Sequence, residues 1–83
     1  MKIEAYSIYD NQSETYAPPI FVGKKGVAIR SFISECSNPD SMLFKYPADY
    51  QLFHIGQFDQ ETGMFTPMTK PTMVASAMDY TQE

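Results

Sequence analysis

A chain of 83 residues suffices for one small domain with a single hydrophobic core, and leaves little material for a separate catalytic cleft. The apolar fraction of 43% and the modest net charge of −4 argue against a disordered chain. The pI of about 4.7 argues against broad, charge-driven binding of nucleic acid, so that only a local cluster of Lys and Arg would bind phosphate.

The composition also bears on compartment and cofactors. One cysteine, Cys36, and one histidine, His54, can form neither an internal disulfide nor a metal site, and we expect no cofactor. No stretch has the apolar length of a signal peptide or a membrane-spanning helix. We therefore expect a soluble protein of a reducing cytoplasm, without membrane contact. Because so small a domain often gains stability by pairing, we also expect a homo-oligomer.

The first half of the chain predicts two strands and a helix. Apolar residues of both parities occur between Ile3 and Tyr9, so either both faces of this strand are covered or a bulge switches its inward face. Thr15 to Val22 is extended, but Pro18 and Pro19 restrict it to an edge strand with a break before residue 20. From Lys25 to Ser37 the apolar residues recur with the spacing of an amphipathic helix.

The second half predicts a hairpin. A strand from Tyr50 to Phe58 leads into a loop in which Gly63 supplies a positive φ, and the returning strand ends at Pro67. The order β-β-α-β-β predicts an α+β domain over residues 1–67, with one amphipathic helix packed across a mainly antiparallel sheet. We expect residues 68–83 to form a loosely ordered tail, or one or two short amphipathic turns around Val74 to Met78.

No set of residues indicates catalysis. His54 has no Ser or Cys nucleophile near it in the sequence, and Cys36 lies among the apolar residues of the predicted helix, so both are expected to be structural. The acidic loop around Asp59 and Glu61 lacks the glycine and bidentate glutamate of a calcium loop. We therefore expect a protein that is not an enzyme and binds no metal.

The stretch Gly23-Lys24-Lys25-Gly26 is the candidate binding site. Free backbone N–H groups at a helix start, two glycines and two ammonium groups would make a seat for an anion or a DNA phosphate, and Arg30 follows one turn later. The alternative is a solvated basic helix start. The motif is not a P-loop, because the first glycine and the following Ser or Thr are missing.

Aromatic residues on or beside the strands have two possible uses. They can fill the core of a small domain, or exposed ones can stack on unpaired bases. The aromatic residues on or beside the strands are Tyr6, Tyr9, Tyr16, Tyr50, Phe53 and Phe58.

Several short stretches, taken in order, are similar to one known family, the small nonstructural protein of gokushovirus-type microviruses, which are single-stranded DNA bacteriophages. The stretches are Tyr6-Ser7 with Asp10, Pro19 with Phe21, Ala28-Ile29-Arg30-Ser31-Phe32, Pro47-Ala48-Asp49-Tyr50, Leu52-Phe53, Ile55-Gly56, Phe58-Asp59 and Thr62-Gly63. The chain departs from the family at the start of the helix, where Lys24 and Lys25 replace the expected Asn or Asp cap.

The resemblance implies a nonstructural, DNA-associated protein of the host cytoplasm with a role in single-strand synthesis, genome replication or packaging. It carries no catalytic motif. Two hypotheses follow. In the first, the protein contacts single-stranded DNA through Lys24, Lys25 and Arg30; in the second, it is an adaptor that binds a host or phage protein without nucleic acid, using its acidic surface, the edge at Pro18-Pro19 or the apolar segment Val74 to Met78.

Overall fold

A computed structural model describes residues 1–80, which form a five-stranded sheet with one long helix. The strands are β1 (Lys2–Asp10), β2 (Thr15–Tyr16), β3 (Ile20–Val22), β4 (Tyr50–Asp59) and β5 (Phe65–Ser76). The helices are α1 (Lys25–Cys36) and the four-residue α2 (Met42–Lys45), and short 3-10 turns occupy Pro47–Asp49 and Ala77–Tyr80. All strand pairs are antiparallel, so the predicted α+β class is confirmed.

Two long strands, β1 and β4, form the centre of the sheet. β5 pairs with the outer side of β4, whereas β2 and β3 share the outer side of β1. The break between β2 and β3 occurs at Ala17-Pro18-Pro19, as the prolines predicted. The buried hydroxyl of Ser7 donates to the carbonyl oxygen of Ala17 at 2.6 Å, which supplies a partner where the regular pairing stops.

β1 has buried side chains on both of its sides, which decides between the two alternatives for this strand. Ala5, Tyr6 and Ser7 are consecutive and all buried. The pairing with β4 does shift between Ala5 and Tyr6, but the additional residue, Ile55, lies on β4. Alternate side chains of β1 therefore keep their faces along its whole length.

The hydrophobic core lies between the sheet and α1. The largest fully buried side chains are Tyr6 from β1, Leu52 from β4 and Phe32 from α1. The predicted helix is confirmed almost to the residue, and Ala28, Phe32 and Cys36 form its buried stripe. The short helix α2 has no counterpart among the predicted elements; its N-cap residue is Ser41, whose hydroxyl accepts a hydrogen bond from the Leu43 amide at 3.2 Å.

The last strand departs from the prediction. β5 does not end at Pro67 but continues to Ser76, and Thr72, Met73, Ala75 and Ser76 pair with β4. Pro67 is tolerated because β5 is an edge strand, where a residue without an N–H needs no outer partner. The boundary predicted at residue 67 thus falls inside a strand, and residues 68–80 are not the loosely ordered tail that we expected. The rest of that predicted tail, residues 81–83, lies outside the described residues.

The end of the described chain closes the core. Ala75 and Ala77 are buried, and the ring of Tyr80 packs edge-on against Phe32 at 6.5 Å between centroids. The apolar segment Val74 to Met78 is therefore largely used by the fold, which is a correction to its predicted use as a free binding tail. Within residues 1–80, neither helix has the length and apolarity required to cross a bilayer.

Candidate functional site

The three predicted anion-binding residues lie at the start and on the outer side of α1. Lys24 is the N-cap residue, in an extended conformation with φ −143°, and Lys25 is the first helical residue. No side chain caps this helix and no acidic residue occupies its first turn. All three cations are exposed, and none forms an ion pair with another residue in the 1–80 range.

The helix separates Arg30 from the two lysines. Lys25 and Arg30 are five positions apart, which is about 140° around an α-helix. Arg30 lies in a shallow groove on the outer side of the helix together with Ser31, Ser34 and Glu35. Lys24 and Lys25 are thus brought together, whereas Arg30 faces another direction and has a carboxylate nearby.

His54 belongs to a polar cluster on the helix side of the sheet. Its Nε2 lies 2.7 Å from Oε1 of Glu4, and the Gln57 amide donates to the other oxygen of Glu4 at 3.0 Å. The His54 ring stacks on Tyr6 with 4.8 Å between centroids. Burial, followed by the charge of Glu4, raises the pKa of Tyr6. This cluster joins β1 to β4, in agreement with the structural role predicted for His54.

The surroundings of Cys36, Asp59 and Gly63 agree with structural roles for these residues. Cys36 is buried, and burial, followed by the charge of Glu35, raises the pKa of its thiol, which disfavours the reactive thiolate. The carboxylate of Asp59 accepts from the backbone N–H of Glu61 at 2.9 Å, and this hydrogen bond is the main reason why its pKa is lowered. Gly63 has φ +75°, as the hairpin required. Residues 1–80 contain no group of three or more side chains suited to holding a metal ion.

An acidic groove of about 350 Å³ lies where the β1–β2 turn meets α2. Asp10 and Asp49 provide its charge, while Met42, Tyr46 and Tyr50 provide apolar walls. Burial, followed by the charges of Asp10 and Asp49, raises the pKa of Tyr50. The groove combines ring faces with two carboxylates, so it is suited to a cationic side chain rather than to a phosphate. No local sequence pattern indicated this groove, because its residues come from three separate segments.

The strand aromatics fall into two groups on opposite sides of the sheet. Tyr6 and Tyr50 face α1 and belong to the core region. Tyr9, Tyr16 and Phe53 lie on the side opposite α1, where their centroids are 4.7 to 6.1 Å apart.

A second ring cluster continues the same side toward the β4–β5 hairpin. Phe21 contacts Phe58 with 5.7 Å between centroids, and Phe65 pairs with Phe58 and lies over Gly56. We call the side of the sheet opposite α1, with these two ring clusters, the open face. Phe21 and Phe65 were missed as members of a shared surface, although their strand parity relative to Phe58 could have indicated it once the register was known.

Comparisons with known proteins agree on one relationship. A family model described as Phage ORF5 protein matches residues 3–80. The chain is 39% identical over 67 residues to Protein ORF5 of Chlamydia phage 1, an alignment that covers 76% of this chain and 70% of the relative. No solved structure matches the chain.

Proposed function

Because this chain belongs to the Phage ORF5 protein family, we propose that it is a non-enzymatic bacteriophage protein that contacts single-stranded DNA during genome replication or packaging in the host cell. The relative in Chlamydia phage 1 is a protein of a gokushovirus-type microvirus, and such phages carry single-stranded DNA genomes. The contact would be made at the start of α1.

One observation carries this proposal. Lys24 and Lys25 are adjacent, exposed, free of ion pairs within residues 1–80 and located where α1 presents unpaired backbone N–H groups. An acidic protein that leaves two ammonium groups uncompensated at the positive end of a helix dipole has an energetically favourable place for a phosphate. Arg30 would serve a second phosphate, because it points away from the lysines.

Titration of a fluorescent single-stranded oligonucleotide at low salt tests the DNA contact. The double substitution Lys24→Ala/Lys25→Ala should weaken binding and reduce the slope of log affinity against log salt by roughly 1.4, which corresponds to two phosphate contacts on a single strand. The matched control is Lys45→Ala/Lys70→Ala, which removes the same charge from α2 and β5.

Two results would contradict the DNA proposal. One is an absence of binding by the unmodified chain at tens of micromolar. The other is an equal loss of affinity in both double variants, which would show that only net charge matters.

A second candidate function is an adaptor that binds a host or phage protein. The acidic groove between Asp10, Asp49 and Tyr50 supports it, because its rings and carboxylates suit a Lys or Arg side chain of a partner. Truncation at residue 67 is not a usable test, since it would remove more than half of β5 and the buried Ala75 and Ala77. A pull-down that compares the unmodified chain with Asp49→Lys is suitable, and equal recovery of every captured protein would count against the groove.

A further inference from the structure

Several large apolar side chains of the open face are not buried by the fold. Tyr16, Phe21, Phe65 and Met73 are 43%, 46%, 42% and 56% exposed, respectively. Met73 pairs with Phe53 in the register of β4 and β5, so it extends the first ring cluster to the sheet edge. These residues come from β2, β3 and β5, and the rings of β1 and β4 lie between them. They therefore form one surface rather than scattered exposed residues.

The paired strand positions of the open face carry no charge. Every paired strand position on it is apolar, aromatic or neutral, whereas all charged residues of β1 and β4 fall on the helix side. These are Lys2, Glu4, Asp10 and Asp59. Lys70 lies in β5 between Pro67 and Thr72, where the pairing with β4 is interrupted. The paired part of the open face can therefore be desolvated without burying an ion.

The size of the open face suits a partner with a sheet of similar extent. With about 3.3 Å per residue along β4 and a width of about 4.8 Å for each of the four adjacent strands, it spans roughly 600 Å² of planar area. A standard interface buries about 800 Å² on each partner, and rings that stand out from the plane raise the available area above the planar value. Two sheets that pack face to face interdigitate side chains of this kind at a separation of about 10 Å.

We infer that a second copy of this chain covers the open face, so that two sheets pack face to face in a homodimer. Two copies can approach through the paired positions of this face although each carries a net charge of −4, because the charged residues of β1 and β4 remain at the helix side in water. Single-stranded DNA is the less suitable occupant. Stacked bases bring phosphates with them, and no Lys or Arg occupies a paired strand position of this face.

The dimer goes beyond the proposed DNA contact and does not depend on it. Lys24 and Lys25 lie at the start of α1, and α1 packs on the other side of the sheet. A dimer through the open face leaves both copies of the helix accessible. Loss of DNA binding in the Lys24→Ala/Lys25→Ala variant and loss of the dimer are consequently separate results.

The test is sedimentation velocity of the full 83-residue chain and two variants. The variant Tyr16→Lys/Met73→Lys places charges on the two outer strands of the open face, so at least one enters any face-to-face interface. The control Met42→Lys introduces the same side chain at a methionine that is 51% exposed on the helix side, in α2. All three positions are exposed, so the variants should fold, and circular dichroism with thermal melting checks this.

We expect a dimer for the unmodified chain and for Met42→Lys at about 50 μM, and at least a roughly 100-fold higher dissociation constant for the double variant. A monomeric unmodified chain at this concentration would overturn the inference. So would a double variant that folds and still forms the same dimer, because the interface would then lie elsewhere. Weaker binding of single-stranded DNA by the folded double variant, in spite of its two added lysines, would assign the open face to nucleic acid and would also overturn it.

Discussion

The two faces of the sheet differ although they are built from alternate residues of the same strands. On the helix side, Tyr6 and Leu52 are almost completely buried against α1, and the polar cluster of Glu4 and His54 is internally paired. On the open face, rings of comparable size are 42% to 46% exposed and no ion is present at a paired strand position. The core on the helix side is covered by α1, whereas large rings of the open face remain partly exposed in a single copy.

This difference separates residues that determine the fold from residues that we propose determine association. In a domain of this size, one layer of helix on one side of a sheet suffices for a core. Aromatic residues on the other side therefore add little to the fold unless something covers them. The rings pack against each other and over small residues such as Gly56, which limits their exposure but does not remove it.

Alanine substitutions at two neighbouring residues of β4 should distinguish the two faces by their cost in unfolding free energy. Leu52→Ala removes a fully buried side chain from the core and should lower the free energy of unfolding by about 3 kcal/mol. Phe53→Ala, one residue later and on the open face, should cost less in a dilute sample. Its cost should rise with protein concentration, because it also removes interface area from the dimer. Urea unfolding at two protein concentrations measures the cost of each substitution. If Phe53→Ala costs as much as Leu52→Ala at every protein concentration, the two faces do not differ in the way proposed.

A smaller effect is expected where the open face is tightest. A Cβ at Gly56 would lie 2.6 Å from the backbone oxygen of Thr66 and 2.7 Å from Cζ of Phe65. The backbone oxygen cannot move without disturbing the β4–β5 pairing, so Gly56→Ala should destabilise the chain by about 1–3 kcal/mol. The control is Gly26→Ala in α1, where nothing lies within 4 Å and the higher helix propensity of alanine should stabilise the chain by up to about 1 kcal/mol. Equal unfolding free energies for the two variants would contradict this reading of Gly56.

The sequence predicted the covered side of the molecule well. Periodicity identified α1 and its buried stripe, turn chemistry identified Gly63, and the two prolines located the break between β2 and β3. These signals are local, since each depends on residues within one or two turns of the chain. The family resemblance, carried by such short stretches, is confirmed as well.

The features that the sequence could not predict depend on the pairing register of the strands or on which strand lies at the sheet edge. In a central strand, a proline would end the pairing. Pro67 lies in β5 at the sheet edge, and this position lets the strand continue. The extra residue Ile55 on β4 decides which of its aromatics share a face with Phe58, and no local pattern shows it. The candidate site was likewise predicted as one cluster, but helix geometry turns Arg30 away from Lys24 and Lys25.

Methionine oxidation can locate the interface at the open face, because the chain contains its own control. Met73 on the open face and Met42 on the helix side are 56% and 51% exposed in a single copy, so mild peroxide should oxidise both at similar rates in a dilute sample. As concentration rises and the dimer forms, oxidation of Met73 should slow by several-fold while that of Met42 stays constant. Equal rates at the two methionines across a concentration range from about 1 to 100 μM would contradict an interface at the open face.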